Sequence, residues 1–289
     1  MLSERILIGT ASFGSTYGIA NSKHPTSREV SKILNLANKS GFLGLDTARD
    51  YVGSESQLGL AGVGRLNVFS KFSHGTNLLE FNSLRLQIED SCKRLGVDLI
   101  HGMAPHSVAD FLSAGRSAER NLTALKEAGT LTSWGLSLYE PQEFFRAIEV
   151  GKPDYIQIPQ NIFDRRFADS GAVDLAKKLG IRIQVRSIFL QGALLLDPDN
   201  LPDHLSSLAP SIANLRDLAI NADTDVGAIL LHHSLADERI DEIVLGVNTF
   251  VQIEKLQASL SAPLTLELSA LQFAEVVNPG LLDPRGWGK

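Results

Sequence analysis

The stretch Ile6-Leu7-Ile8-Gly9-Thr10-Ala11-Ser12-Phe13-Gly14 decides between two ways of building an α/β protein from this chain. The apolar run reads as a first strand. An open, doubly wound sheet would follow it with Gly-x-Gly-x-x-Gly, which lets the backbone approach a pyrophosphate. Gly9 and Gly14 stand five positions apart with no glycine between them, so the pattern fails. Gly59-Leu60-Ala61-Gly62-Val63-Gly64 fails as well, because it follows a helical segment rather than a strand. A closed parallel barrel is the reading that remains.

Working outward, apolar runs recur at 6–10, 43–47, 67–71, 100–105, 133–138, 155–159, 182–186 and 242–246. A segment of helical periodicity follows each one. Eight such units predict a single (β/α)8 TIM barrel over residues 1–289, with a C-terminal tail from about residue 261. The first helix carries its own start signal, Thr26 and Glu29 at capping-box spacing after Pro25. Val30, Ile33, Leu34 and Ala37 then form its inner face. Leu84, Ile88, Cys92 and Leu95 do the same for the helix after strand three. Extra chain is expected at about 190–203, with one additional helix, before strand eight.

Composition narrows the function. The chain has 289 residues, and 27 Lys and Arg against 33 Asp and Glu leave a net charge of −6. A mild acidic excess without a basic run argues against a nucleic-acid partner. No apolar stretch reaches the length of a membrane span, and the N-terminus lacks a signal-peptide pattern. The single cysteine, Cys92, suits a reducing compartment, so a cytoplasmic location is expected. His-Glu-x-x-His and Cys-x-x-Cys spacings are both missing, and no metal is expected.

Barrel enzymes do their chemistry where strands end and loops begin. Asp46, Tyr51, Lys71 and His106 fall at or just after the ends of strands two, three and four. An ammonium beside a phenol favours the phenolate and makes the phenol a better acid. A carboxylate would hold that ammonium charged, and a neutral imidazole can orient a carbonyl. The set suits protonation of an oxygen while a hydride reaches carbon, so the electron pair must come from a cofactor.

These residues lie in Gly44-Leu45-Asp46-Thr47-Ala48-Arg49-Asp50-Tyr51-Val52-Gly53-Ser54-Glu55, which resembles the signature of the aldo-keto reductase superfamily. The similarity continues in order through Ser70-Lys71-Phe72, Leu95-Gly96-Val97-Asp98, Met103-Ala104-Pro105-His106 and Trp134-Gly135-Leu136-Ser137. It then reaches Gln157, Val185-Arg186-Ser187 and Gly246-Val247-Asn248-Thr249. The resemblance implies Tyr51 as general acid, Asp46 and Lys71 as its tuning pair, and His106 as the carbonyl-orienting group. It implies NADP(H) or NAD(H) as coenzyme, with Ser137 and Gln157 at the carboxamide and Arg186 in the stacking position usually held by tyrosine. Thr10, Ser187, Phe189, Gln191, Gly246, Asn248, Thr249 and Gln252 complete the expected coenzyme contacts. Leu138 stands where many members have asparagine, and no Lys or Arg follows strand eight before Lys255.

Arg186-Ser187-Ile188-Phe189-Leu190-Gln191-Gly192 resembles a bacterial subgroup associated with sugar and surface-polysaccharide genes. The implied substrate is a small carbonyl compound or sugar. Phe13, Tyr17, Phe163, Arg165 and Arg166 are the candidate pocket residues, though packing or surface roles suit each one taken singly better, and Trp287 reads either as shaping the pocket or as pinning the tail. An NAD-dependent sugar dehydrogenase on the same site and a non-catalytic coenzyme-binding protein are the alternative functions. A cofactor-free isomerase fits less well, since the strand ends lack a suitable carboxylate base.

Overall fold

Strand β1 (Ile6–Gly9) pairs in parallel with both β2 (Gly44–Asp46) and β8 (Glu242–Gly246), and this double pairing closes the sheet. The computed structural model describes residues 2–15, 18–19, 24–261 and 279–287. Between β2 and β8 run β3 (Asn67–Lys71), β4 (Ile100–Ala104), β5 (Leu131–Ser137), β6 (Tyr155–Pro159) and β7 (Arg182–Arg186), each paired with its sequence neighbour. The fold is the (β/α)8 barrel that the apolar runs predict. Strands covered by helices on the outside and packed side chains within read as nearly continuous apolar sequence.

The helices are α1 (Ser27–Lys39), α2 (Ser54–Ala61), α3 (Phe81–Leu95), α4 (Val108–Ala114), α5 (Arg116–Glu127), α6 (Pro141–Val150), α7 (Arg166–Asp169), α8 (Ala172–Lys178), α9 (Ala209–Asn221), α10 (Val226–Ala236) and α11 (Phe250–Ser261). Val30, Ile33, Leu34 and Ala37 are the buried face of α1, as their spacing predicts. In α3 the buried stripe is Leu84, Ile88, Ser91 and Leu95. Cys92 sits beside that stripe, half-buried against the core, rather than within it. The insertion between β7 and β8 folds into 3-10 turns at Leu190–Leu195, Pro198–Asn200 and Asp203–Leu208, followed by α9. Its side chains form a second apolar cluster with Phe163 and Leu282.

The expected capping box of α1 forms only in part. Thr26 Oγ1 accepts from the Glu29 amide at 3.3 Å, but the Glu29 carboxylate reaches across to the Phe250 amide at 2.6 Å. The reciprocal bond occurs at α6 instead, where Glu143 Oε2 accepts from the Glu140 and Tyr139 amides at 3.0 and 2.6 Å.

The floor of the barrel is filled. Leu7, Phe69, Tyr155 and Val244 pack together at the end where the strands begin. The Arg182 guanidinium lies 5.9 Å from both the Phe69 and Tyr155 rings and pairs with Glu242 at 2.9 Å. Gly102 and Gly135 give these rings room, for a Cβ there would come within 2.2 Å of Phe69 and 2.4 Å of Tyr155. Among the described residues no helix is long and apolar enough to cross a membrane.

Candidate active site

Asp46 ends β2 and Lys71 ends β3, so parallel pairing brings both side chains to the same mouth of the barrel. Lys71 Nζ donates to Asp46 Oδ1 at 2.7 Å and to the Thr47 carbonyl at 3.1 Å. From the middle of β6, Gln157 Nε2 donates to the same Asp46 oxygen at 2.8 Å. Burial works against the Lys71 charge, but Asp46 and Tyr51 outweigh it and hold the ammonium above its ordinary pKa. A salt bridge this deep contributes little net stability, because desolvation offsets the attraction. Its effect is to keep a fixed positive charge in the site.

Tyr51 lies in the turn after β2, with its ring centre 5.4 Å from Lys71 Nζ. That turn rests on Gly14 in the loop after β1. A Cβ at Gly14 would fall 1.4 Å from the Val52 carbonyl oxygen, so only glycine permits the approach. Ser54 ties the two loops together, its hydroxyl donating to Thr10 Oγ1 at 2.9 Å.

His106 follows β4 by two residues and meets Tyr51 edge-on, with 6.2 Å between ring centres. Its other neighbour is His74, stacked at 3.7 Å with 30° between the planes. Asp50 Oδ2 accepts from both the His74 amide, at 2.8 Å, and the His74 ring Nδ1, at 2.7 Å. Those hydrogen bonds overcome partial burial and hold the Asp50 carboxyl below its usual range. Burial, then the charges of His74 and Lys71, push His106 down to about 4, against a smaller opposing pull from Asp50. The imidazole is therefore neutral near pH 7.

Asp50, His74 and His106 each offer a ligand atom within 4.8 Å of the others. His74 Nδ1 and His106 Nδ1 both face Asp50 Oδ2, at 2.7 and 3.4 Å. Hydrogen bonding and stacking account for this cluster as it stands.

All four reactive residues line one open cleft of about 1190 Å3, its mouth included. Ser137, Gln157, Arg186, Ser187, Phe189 and Gln191 share its wall, and Gly246, Asn248 and Gln252 form the part after β8. The loop after β7 is strained: Ser187, Leu190 and Gln191 have φ of 66°, 47° and 53°. Non-glycine residues in this region cost on the order of 1–3 kcal/mol each and cluster at ligand sites. The Arg186 guanidinium lies 4.2 Å from the centre of the Tyr139 ring, which also carries Arg285 at 3.5 Å. Arg186 Nη2 donates to the Leu138 carbonyl at 3.1 Å. Its plane is thus engaged with a protein aromatic.

Several expected site residues lie elsewhere. Phe13 is fully buried in the main core, and Phe163 packs in the cluster under the insertion. Arg166 pairs with Asp164 and Glu140, at 2.9 and 2.6 Å, while Arg165 pairs with Asp169 near the surface. Trp287 packs against the insertion and donates to the Leu281 carbonyl at 3.0 Å. Thr10 is buried and donates to the Asp46 carbonyl at 3.0 Å, and Thr249 caps α11 by accepting from the Gln252 amide at 3.2 Å. None of these residues lines the cleft. Tyr17 and most of the tail from about residue 261 lie outside the described residues.

Asp50, His74 and Tyr139 are the site's additions. Asp50 directly precedes Tyr51, and His74 stands three residues after Lys71, so both lie just past strand ends, where barrel chemistry gathers.

With this geometry in view, residues 5–277 match the Aldo/keto reductase family. Among solved structures the chain is similar to an aldo-keto reductase from Bacillus halodurans in its holo form, at 19% identity and TM-score 0.72 over 91% of this chain and 88% of that one. It is also similar to the thermostable aldo-keto reductase Tm1743 in complex with the inhibitor epalrestat. There the identity is 20% and the TM-score 0.71, over 92% of this chain and 93% of that one. A Pseudomonas aeruginosa protein described as an aldo-keto reductase gives 21% identity and TM-score 0.62 over 88% of each chain. At these identities the likeness establishes the fold. No curated protein matches the chain.

Proposed function

From the premise that the chain belongs to the aldo/keto reductase family, NAD(P)H-dependent oxidoreductases of carbonyl compounds, we propose that Tyr51 is the general acid of a carbonyl reduction carried out in this cleft. The observation that carries the reading is the buried Lys71–Asp46 pair beside Tyr51, with a neutral His106 edge-on to the same ring.

The cleft suits a nicotinamide coenzyme. Its wall runs from the four reactive residues to the loop after β8, so one elongated ligand could reach from the reacting groups to the start of α11. Ser137, Gln157, Arg186, Ser187, Phe189, Gln191, Gly246, Asn248 and Gln252 are the residues that would hold it. When bound, the coenzyme supplies the hydride.

The protein's own part is proton transfer and orientation. His106 donates a hydrogen bond to the carbonyl oxygen and fixes where that oxygen lies. Tyr51 gives its phenolic proton to the oxygen as negative charge develops there. Lys71 stabilises the phenolate left behind, and Asp46 with Gln157 keeps Lys71 in place. In the oxidative direction the same phenolate accepts the proton. The substrate is a small aldehyde, ketone or oxidised sugar; the run Arg186–Gly192 supports the sugar end of that range by its subgroup resemblance.

The test is Tyr51→Phe, with reduced coenzyme binding followed by fluorescence and turnover by screening carbonyl compounds. Coenzyme affinity should hold while turnover falls by about 10²- to 10⁴-fold, the usual contribution of a general acid. Wild-type turnover in the variant would refute the assignment.

A further inference from the structure

We propose that Asp50, His74 and His106 form a site for a divalent ion of the zinc type, and that its occupancy holds the cleft inactive. The site stands on geometry alone, whereas the inactivation rests on reading Tyr51 and His106 as the groups that act on a carbonyl. The three ligand atoms lie within 4.8 Å of one another. They come from the separate loops after β2, β3 and β4, so no linear metal motif announces them.

Two imidazoles and a carboxylate are a donor set for Zn²⁺ or Co²⁺ rather than for Mg²⁺ or Ca²⁺, which take oxygen. Tetrahedral zinc, with bonds of about 2.0–2.2 Å, sets its ligand atoms roughly 3.3 Å apart. Asp50 Oδ2 already lies 3.4 Å from His106 Nδ1, and 2.7 Å from His74 Nδ1. Of these two distances only the second has to open, and a side chain that is 65% exposed has room to give. His106 Nδ1 is buried yet makes no hydrogen bond to any described residue. A buried nitrogen without a partner costs free energy, and an ion would satisfy it. The proton that His74 Nδ1 shares with Asp50 passes to the other ring nitrogen, since a neutral imidazole carries its proton on either one. Three protein ligands leave the fourth position to water, as in open zinc sites.

The local charge permits a dication. Asp50 supplies a carboxylate, and the Lys71 ammonium is already neutralised by Asp46 at 2.7 Å. An ion here would sit beside the chemistry without taking part in it. Asp50 directly precedes Tyr51 in the chain, and the His106 ring meets the Tyr51 ring edge-on at 6.2 Å. Coordination therefore holds both neighbours of Tyr51 in the geometry of the ion rather than of a substrate. A second cationic centre near the phenol also favours the phenolate further. The proton is then gone before a carbonyl arrives.

Zn²⁺ itself is the probe, on protein without an affinity tag. Titration calorimetry on wild type should show one saturable site, and Co²⁺ should give the visible absorption of a tetrahedral ion with nitrogen ligands. His74→Phe keeps a flat ring over His106 but removes a ligand atom. Zinc affinity should then fall by about tenfold or more, the cost of losing even an outer-shell partner. Thermal unfolding checks that the variant is folded, and His74→Ala at the same exposed position replaces it if it is not. Turnover is read with zinc and with EDTA in each protein; zinc should suppress it in wild type, EDTA should restore it, and the variant should respond less. No saturable zinc binding, or equal affinity in a folded His74 variant, overturns the site and leaves the proposed reduction standing. Zinc binding with unchanged turnover overturns the inactivation. Wild type that binds zinc but reduces no carbonyl compound even in EDTA overturns the reduction, and the inactivation with it, while the site stands.

Discussion

His74 lies face to face with His106, 3.7 Å between ring centres, and Asp50 holds it there by both its amide and its ring nitrogen. This second histidine covers the first and adds a repulsive contribution to its protonation. His74→Ala removes both effects, and the pKa of His106 should rise from about 4 toward its ordinary value. The acid limb of turnover, flat in wild type until near that value, should move to higher pH in the variant. A pH–rate profile with an unmoved acid limb would count against the stack as the cause. The sign for stability follows. Between the unfolded and folded values the unfolded chain takes up a proton that the native imidazole refuses, so His106 costs stability as pH falls through that window.

Asp46→Asn leaves the Lys71 ammonium buried without its carboxylate. Breaking one side of such a pair costs about 3–5 kcal/mol, which urea unfolding would register. The raised pKa of Lys71 in the native protein means its contribution is present below the unfolded value and lost as pH rises through the folded one. The variant should lack that alkaline dependence. A stability curve that matches wild type at neutral and high pH would show that the pair is not coupled to folding.

Gly14→Ala is expected to act on catalysis through position alone. The added methyl meets the Val52 carbonyl, and the turn bearing Tyr51 must shift to admit it. Misplacement by about 1 Å can cost on the order of 10²-fold in rate. Turnover should fall by more than coenzyme affinity does, since the clash is with the turn bearing Tyr51, while the β8 end is reached only through the Ser12–Asn248 hydrogen bond. Unaltered turnover would mean that the loop relaxes without moving Tyr51.

Arg166→Ala and Arg165→Ala should behave differently from each other. Arg166 neutralises Asp164, whose side chain is only 1% exposed, and its loss leaves that charge buried. A cost of about 3–5 kcal/mol is expected, with no change in substrate affinity. Arg165 makes an exposed pair, and its removal should stay within about 1 kcal/mol. A raised KM in the Arg166 variant, with stability intact, would return that residue to the substrate pocket.

The barrel was legible because its strands, buried on both faces, leave apolar runs with little ambiguity. Asp46, Tyr51, Lys71 and His106 were legible because parallel closure gathers the ends of different strands at one mouth. What local pattern does not encode is the direction in which a loop side chain turns. Phe13 and Phe163 follow strands just as site residues do, yet they turn inward to pack. Glu29 has the spacing of a capping residue, but its partner is Phe250, on the last helix before the tail. Arg165 and Arg166 stand among the candidate pocket residues by their place after β6, yet Asp169 pairs with the first and Asp164 chelates the second.

The filled floor of the barrel has a kinetic consequence. Phe69, Tyr155 and the Arg182–Glu242 pair close the axis below the cleft, so Lys71 and Tyr51 communicate with bulk water from one side only. In the proposed reduction each turnover spends one proton, and its replacement shares a doorway with the carbonyl compound and the alcohol. Reloading of Tyr51 is then tied to departure of product, and the two events follow one another rather than running side by side.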